Sequence, residues 1–150
     1  LRPEKYPREK PESFLWSPSL WGIPASYTLL EENTLGEFVI QQYFQQRLSL
    51  EQSRQSAEGW AGDRFAVYEK EKHRLFVWKT KWDTVKDREE FIETYLDWIR
   101  KRYPESEAVD TLRGSLEFRT LRGYIVLYSE GREVLLVEGL NEEQRKQWSP

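Results

Sequence analysis

The sequence predicts an α+β domain: an antiparallel sheet of about five strands packed with two to four helices, preceded by a proline-rich extended arm. Two observations carry the domain. The elements read in the order α, β-β, α, β-β-β, α, and successive strands joined by short turns pair antiparallel. A third observation sets the arm apart. Five of the seven prolines lie in residues 1–33, and proline both lacks an N–H and pushes its predecessor toward extended backbone. The expected division is an arm over 1–33 and a single α+β domain over 34–150, a size that one domain accommodates.

The arm contains FLWSPSLWGIP, with Phe14, Leu15, Trp16, Leu20, Trp21 and Ile23. So much apolar surface is unfavourable in water and is expected to lie across another surface. A helix opens in NTLGEFVIQQYFQQRL, where Thr34 and Glu37 have the spacing of a capping box and Asn33 is a rival cap. Its apolar residues cover a wide arc: Leu35, Phe38, Val39 and Tyr43 on one stripe, Ile40, Phe44 and Leu48 on a second. Such a helix is mostly buried. SLEQSRQSAEG reads as a second helix or a bend in the first, with Ser49 and Gln52 at cap spacing and Gly59 as its stop.

DRFAVYEKEKHRLFVWKTKW reads as a hairpin turning at 70–73, with Phe76, Trp78 and Trp82 on one face of the second strand. WDTVKDREEFIETYLDWIRKRYP is a helix capped by Asp83 or Thr84. Acids crowd its first turns and Arg100, Lys101 and Arg102 its last, which complements the helix dipole. Phe91, Ile92, Tyr95 and Ile99 form its core stripe, and Pro104 ends it. SLEFRT, GYIVLYSE and REVLLVEG are strands, the last two joined by a turn at Gly131, and Asn141 caps a short final helix.

Composition narrows the function. The chain of 150 residues is 38% hydrophobic and 15% aromatic, enough for a sizeable core, and 33% charged with a net charge of -3. Basic residues are interleaved with acids, so there is no basic stripe for nucleic acid. Without cysteine there is no disulfide, thiolate metal site or cysteine nucleophile. No apolar run approaches the roughly 18 residues of a membrane span, and the N-terminus lacks the apolar core of a signal peptide. The absence of Met predicts a processed or truncated piece of a longer gene product.

No catalytic motif is present. His73, the single histidine, has no partner spacing for a metal and reads as a solvated turn residue. Of the paired acids, Asp83 and Asp87 fit the helix dipole better than acid–base work. Glu37 reads as an N-terminal cap or as a buried carboxylate with a shifted pKa. The stretch GWAGDR raises the sharpest question. Gly59 can supply positive φ at the helix end, Gly62 can tighten the turn into the strand, and Trp60 can fold back on the core. Phosphate-cradling glycine loops precede a helix, whereas this one follows it. The expectation is a structural junction, with Asp63 accepting backbone N–H groups and Arg64 tied to a carboxylate from 32–37 or 83–90. The competing reading is a binding site formed by Glu37, Trp60, Asp63 and Arg64. A catalytic set of Glu37, Asp63 and His73 has no support in their spacing.

PEKYP at 3–7, ENTLGEF at 32–38, AEGWAGDRFAVYE at 57–69 and VWKTKWDTVKDREEF at 77–91 carry a resemblance, with a looser echo in REVLLVEGL at 132–140. Together they resemble the C-terminal half of a family of exported bacterial proteins. Those proteins bear a zinc-peptidase-like HExxH helix upstream and are described as metallopeptidase-like or uncharacterised. Arg2 stands where the family pattern has His, Arg88 where it has Ala, and no HExxH occurs in these 150 residues. The resemblance implies a non-catalytic C-terminal domain of an extracytoplasmic protein, completing or buttressing the fold or assisting peptide binding. Its partner would be the upstream domain of the same gene product. There would be no cofactor or metal ligand in this chain, and zinc would belong to the full-length protein. The alternative from another class is a self-sufficient extracytoplasmic binding module that uses an aromatic surface, with Trp16, Trp21 and Trp60 around one concavity.

Overall fold

Seven strands form one antiparallel sheet in the computed structural model, which describes residues 11–111 and 114–150. The chain runs β1 (Thr28–Asn33), α1 (Gly36–Gln45), α2 (Leu50–Ala57), β2 (Trp60–Lys70), β3 (His73–Trp82), α3 (Val85–Arg102) and β4 (Glu107–Val109). It continues through β5 (Leu116–Thr120), β6 (Gly123–Glu130), β7 (Glu133–Leu140) and α4 (Glu142–Gln147). The strand order is β1-β2-β3-β7-β6-β5-β4. The fold is α+β. The sheet has seven strands rather than about five because the sequence pattern marks neither edge strand. β1 lies inside the segment expected to be arm, and β4 spans three residues. Edge strands need bury neither face fully, and five of the six β1 residues are exposed, so its sequence lacks the alternation of an inner strand.

The inner strands follow their period. Phe76, Trp78 and Trp82 of β3 face α1, α2 and α3, where they join Phe44, Phe91, Tyr95 and Trp98 in an aromatic core. Rings meet there edge-on or tilted, as Trp78 does with Phe91 at 5.4 Å, or stacked, as Trp82 does with Phe91 at 4.7 Å. Leu75 and Val77 face the other way, into a second core with Val126, Leu135, Val137 and Leu140 and with Trp148 after α4. β2 and β3 turn through Glu71 and Lys72, whose φ values are 51° and 71°. Paired positive φ at the two central residues is the type I′ arrangement, here without glycine or asparagine. β7 carries a bulge at Gly139 opposite Tyr124 and Ile125. The extra residue lets Leu140 join the second core while Glu138, two positions earlier, faces the helices.

The helix ends show which local signals acted. Thr84 caps α3, its Oγ1 accepting the Asp87 N–H at 3.0 Å. Ser49 caps α2 in the same way through Gln52 at 3.1 Å, so this segment is a separate helix. Asn141 and Gln144 form a full capping box on α4. The expectation fails for α1: it begins at Gly36, and its N-cap position, Leu35, makes no side-chain cap bond. Thr34 instead donates its hydroxyl to the Asp63 carbonyl at 3.0 Å.

Residues 11–27 lie on the chain's own sheet, over the face away from α1–α3. Trp21 and Ile23 are buried in the second core. The Glu12 N–H donates to the Ala61 carbonyl at 2.8 Å. Lys79 donates to the Leu15 carbonyl at 3.0 Å, with its ammonium 5.6 Å from the Phe14 ring and 5.2 Å from that of Trp21. The residues at 3–7 that carry part of the resemblance lie outside those described.

Candidate functional site

GWAGDR and ENTLGEF meet at Asp63. This residue is 4% exposed, and its carboxylate accepts four N–H groups. Oδ2 takes the Leu35 amide at 2.9 Å and the Trp78 indole at 3.1 Å. Oδ1 takes the Gly36 amide at 2.9 Å and the Trp60 indole at 3.0 Å. Asp63 thus caps α1 from a neighbouring strand, doing across the fold what a local cap residue normally does. It also ties two tryptophans of the helix-facing core to that cap. An acid already holding four donors has little acceptor capacity left for a ligand.

The two glycines act differently from each other. Gly59 has φ +77°, as a helix stop requires, and its carbonyl accepts the Asp83 N–H at 2.7 Å. Gly62 tightens no turn: it lies within β2, and a Cβ there would stand 2.8 Å from the Glu12 carbonyl oxygen. Its missing side chain makes room for the arm's backbone. Arg64 pairs with Glu32, inside the segment expected to supply its partner. Its guanidinium lies 5.1 Å from the Trp16 ring.

Other sequence candidates are dispersed. Glu37 is buried at 2% exposure on α1. His73 is not a solvated turn residue: it opens β3, half-buried, its ring 6.0 Å from Tyr27. Trp16 and Trp21 belong to the core under the arm, whereas Trp60 packs on the helix side, so the three do not share a concavity. Among the described residues no group of three or more His, Asp or Glu is placed to hold a metal ion. No described helix is long and apolar enough to cross a membrane.

A concave, ionisable part of the surface lies elsewhere, at the C-terminal end of α3. A cavity of about 440 Å³ opens between that end, the α1–α2 connection and the β5–β6 turn, lined by Arg47, Trp98, Arg102, Tyr103, Glu105 and Arg122 among others. A second, of about 300 Å³, shares Arg102, Tyr103 and Arg122 and reaches Arg74, Glu138 and Gly139. The Arg102 guanidinium sits 4.8 Å from the Trp98 ring and 5.1 Å from the Tyr103 ring, and its Nη1 donates to the Tyr43 hydroxyl at 3.5 Å. Glu138 accepts a hydrogen bond from the Tyr95 hydroxyl. Burial pushes its carboxyl above the ordinary range, against the lowering effects of the Tyr95 bond and the Arg102 charge. Burial likewise raises Tyr95 and Tyr43.

Sequence reasoning missed this cleft. One signal was available: in β7, Val134, Leu136 and Glu138 alternate onto the same face, so a glutamate occupies a position where the period demands an apolar residue. Nothing local marks Arg47, Arg102 or Arg122 as neighbours, because three separate elements bring them together.

No curated protein and no solved structure matches the chain. Residues 27–148, from just before β1 to just after α4, match the family described as "Domain of unknown function (DUF8575)", and the chain belongs to that family.

Proposed function

We propose that the chain is a non-catalytic C-terminal domain of an exported metallopeptidase-like protein, which buttresses the upstream domain and assists in holding an extended ligand such as a peptide. The observation that supports this reading is the saturation of Asp63. Two of the motifs that carry the family resemblance, ENTLGEF and GWAGDR, converge on one residue whose four acceptor positions are filled by helix and indole N–H groups. A motif used in this way builds the fold and leaves chemistry to other parts of the protein. Zinc and the general base would reside in the upstream HExxH segment, in an extracytoplasmic compartment.

The test is an assay of this chain alone with zinc and a mixed peptide library, beside the full-length protein. The reading expects cleavage only from the longer protein. Zinc-dependent, chelator-sensitive cleavage by the 150-residue chain would sink it.

A further inference from the structure

We propose that the cleft at the C-terminal end of α3 is an oxyanion-binding site, in which Arg47, Arg102 and Arg122 receive the carboxylate or phosphate group of an acidic ligand. The first argument is the pairing of the arginines. Arg64, Arg74, Arg88, Arg100, Arg119, Arg132 and Arg145 each hold a carboxylate. Among the described residues the arginines without such an ion pair are Arg47, Arg54, Arg102 and Arg122, and three of these four line one cleft. In a chain of net charge -3, acids are abundant, so a local cluster of guanidinium groups without a carboxylate ion pair is not a consequence of composition. Their planar forks match carboxylate and phosphate oxygens.

The second argument is preorganisation. Arg102 is held against the rings of Trp98 and Tyr103, so its fork is positioned before any ligand arrives, which reduces the entropy lost on binding. The third is an orphan donor. Trp98 is 1% exposed and lines the same cavity, and its indole Nε1 is buried without a hydrogen-bond partner. Buried donors are ordinarily satisfied, and this one lies on a residue of the cavity wall with no acceptor of its own. Two acids oppose such a ligand: Glu105, which lines the same cavity, is exposed and accepts the Leu121 N–H at 3.3 Å, and Glu138, in the adjoining cavity on β7. The raised pKa of Glu138 favours the neutral form, which weakens its opposition.

This inference goes beyond the domain role proposed above and stands if that role fails. It is tested on the 150-residue chain at low ionic strength by calorimetric titration with inorganic phosphate and, separately, with succinate, each against sodium chloride of matched ionic strength. The expected result is saturable binding of at least one of the two, weakened at least about tenfold by the exposed double variant Arg47→Ala/Arg122→Ala, since charge-assisted hydrogen bonds are being removed. The melting temperature of that variant should be unchanged, and Arg119→Ala, a surface arginine on β5, should bind as the parent does. Preference for phosphate would identify a phosphorylated ligand, and preference for succinate an acidic side chain or terminus. No saturable binding of either anion, binding equalled by chloride, or binding unaltered in the double variant would overturn the proposal.

Discussion

Asp63 and Glu138 are both acids facing the helix-side core from neighbouring parts of one sheet, and they are satisfied to opposite degrees. Asp63 accepts four N–H groups and borders no cavity described above. The Glu138 carboxyl takes one side-chain donor, the Tyr95 hydroxyl, and the residue opens onto a cavity shared with Arg74, Arg102 and Arg122. A third acid, Glu117, shows that donors rather than burial alone decide the outcome. Burial pushes its carboxyl up, but hydrogen bonds from Arg145, Ser115 and Thr111 outweigh that and hold it below the ordinary range. The Glu138 carboxyl is desolvated without enough donors and moves the other way. Acids with filled acceptor positions hold this fold together, and the under-filled one marks the place where a ligand can meet it.

The largest effect expected from this contrast is at Asp63. Asp63→Ala removes the acceptor of two helix N-terminal amides and two indoles, and should destabilise the fold by roughly 3–5 kcal/mol in denaturant unfolding, from a cost of about 1–3 kcal/mol for each buried group left unsatisfied, partly relieved by water. A loss under about 1 kcal/mol would mean that α1 does not depend on this cap.

Glu117 and Glu138 should then respond to neutralisation with opposite signs. A depressed carboxyl contributes stability above its unfolded pKa, lost as pH falls through the folded value. Glu117→Gln should therefore lower stability at neutral pH by about 1–3 kcal/mol, with the difference from the parent shrinking in acid. A raised carboxyl stabilises the fold only while it stays protonated, so its contribution is lost as pH rises through the folded value. Glu138→Gln, which keeps an acceptor for Tyr95, should raise the melting temperature at neutral pH. The gain should vanish below the unperturbed glutamate pKa of about 4.3. The groups facing Glu138 are Tyr95, Tyr103, Tyr43, Arg102, Arg74 and Arg122. If Glu138→Gln destabilises at neutral pH, the carboxylate is ionised and paired in the free protein, and the contrast collapses.

Arg64 should show the smallest effect. Its side chain is 46% exposed, so its pair with Glu32 is a surface one. Arg64→Ala should cost less than about 1 kcal/mol, a fall in melting temperature of no more than about 4 °C. A larger loss would show that stacking on Trp16 anchors the arm.

What could be read in advance follows the reach of each interaction. α3 was legible because its cap, its dipole-matched ends and its core stripe are all local. The same holds for the β2–β3 hairpin and for α4 with its Asn141 cap. That Arg64 pairs with a carboxylate was legible from its planar fork, but not which of 32–37 and 83–90 supplies it; Glu32 does, from edge strand β1 rather than from a helix start. The start of α1 was not legible, because its cap comes from Asp63, 28 positions from Leu35 along the chain. β1 and β4 escaped because edge strands carry little pattern. The role of Gly62 was hidden because it answers the arm's backbone at Glu12, a contact no turn rule anticipates. The cleft escaped for the same reason on a larger scale: its arginines come from the ends of separate elements, and only Glu138 left a trace, as a polar residue out of phase in β7.

The most direct measurement is an amide-resolved NMR titration of the 150-residue chain with phosphate and with succinate. The account predicts saturable shifts at Arg47, Arg102, Tyr103 and Arg122 and in the Trp98 indole, with residues 60–64 and 33–37 unmoved. Saturable shifts centred on Asp63, Arg64 and Glu37, with the α3 end silent, would contradict it and return the GWAGDR stretch to the role of a binding site.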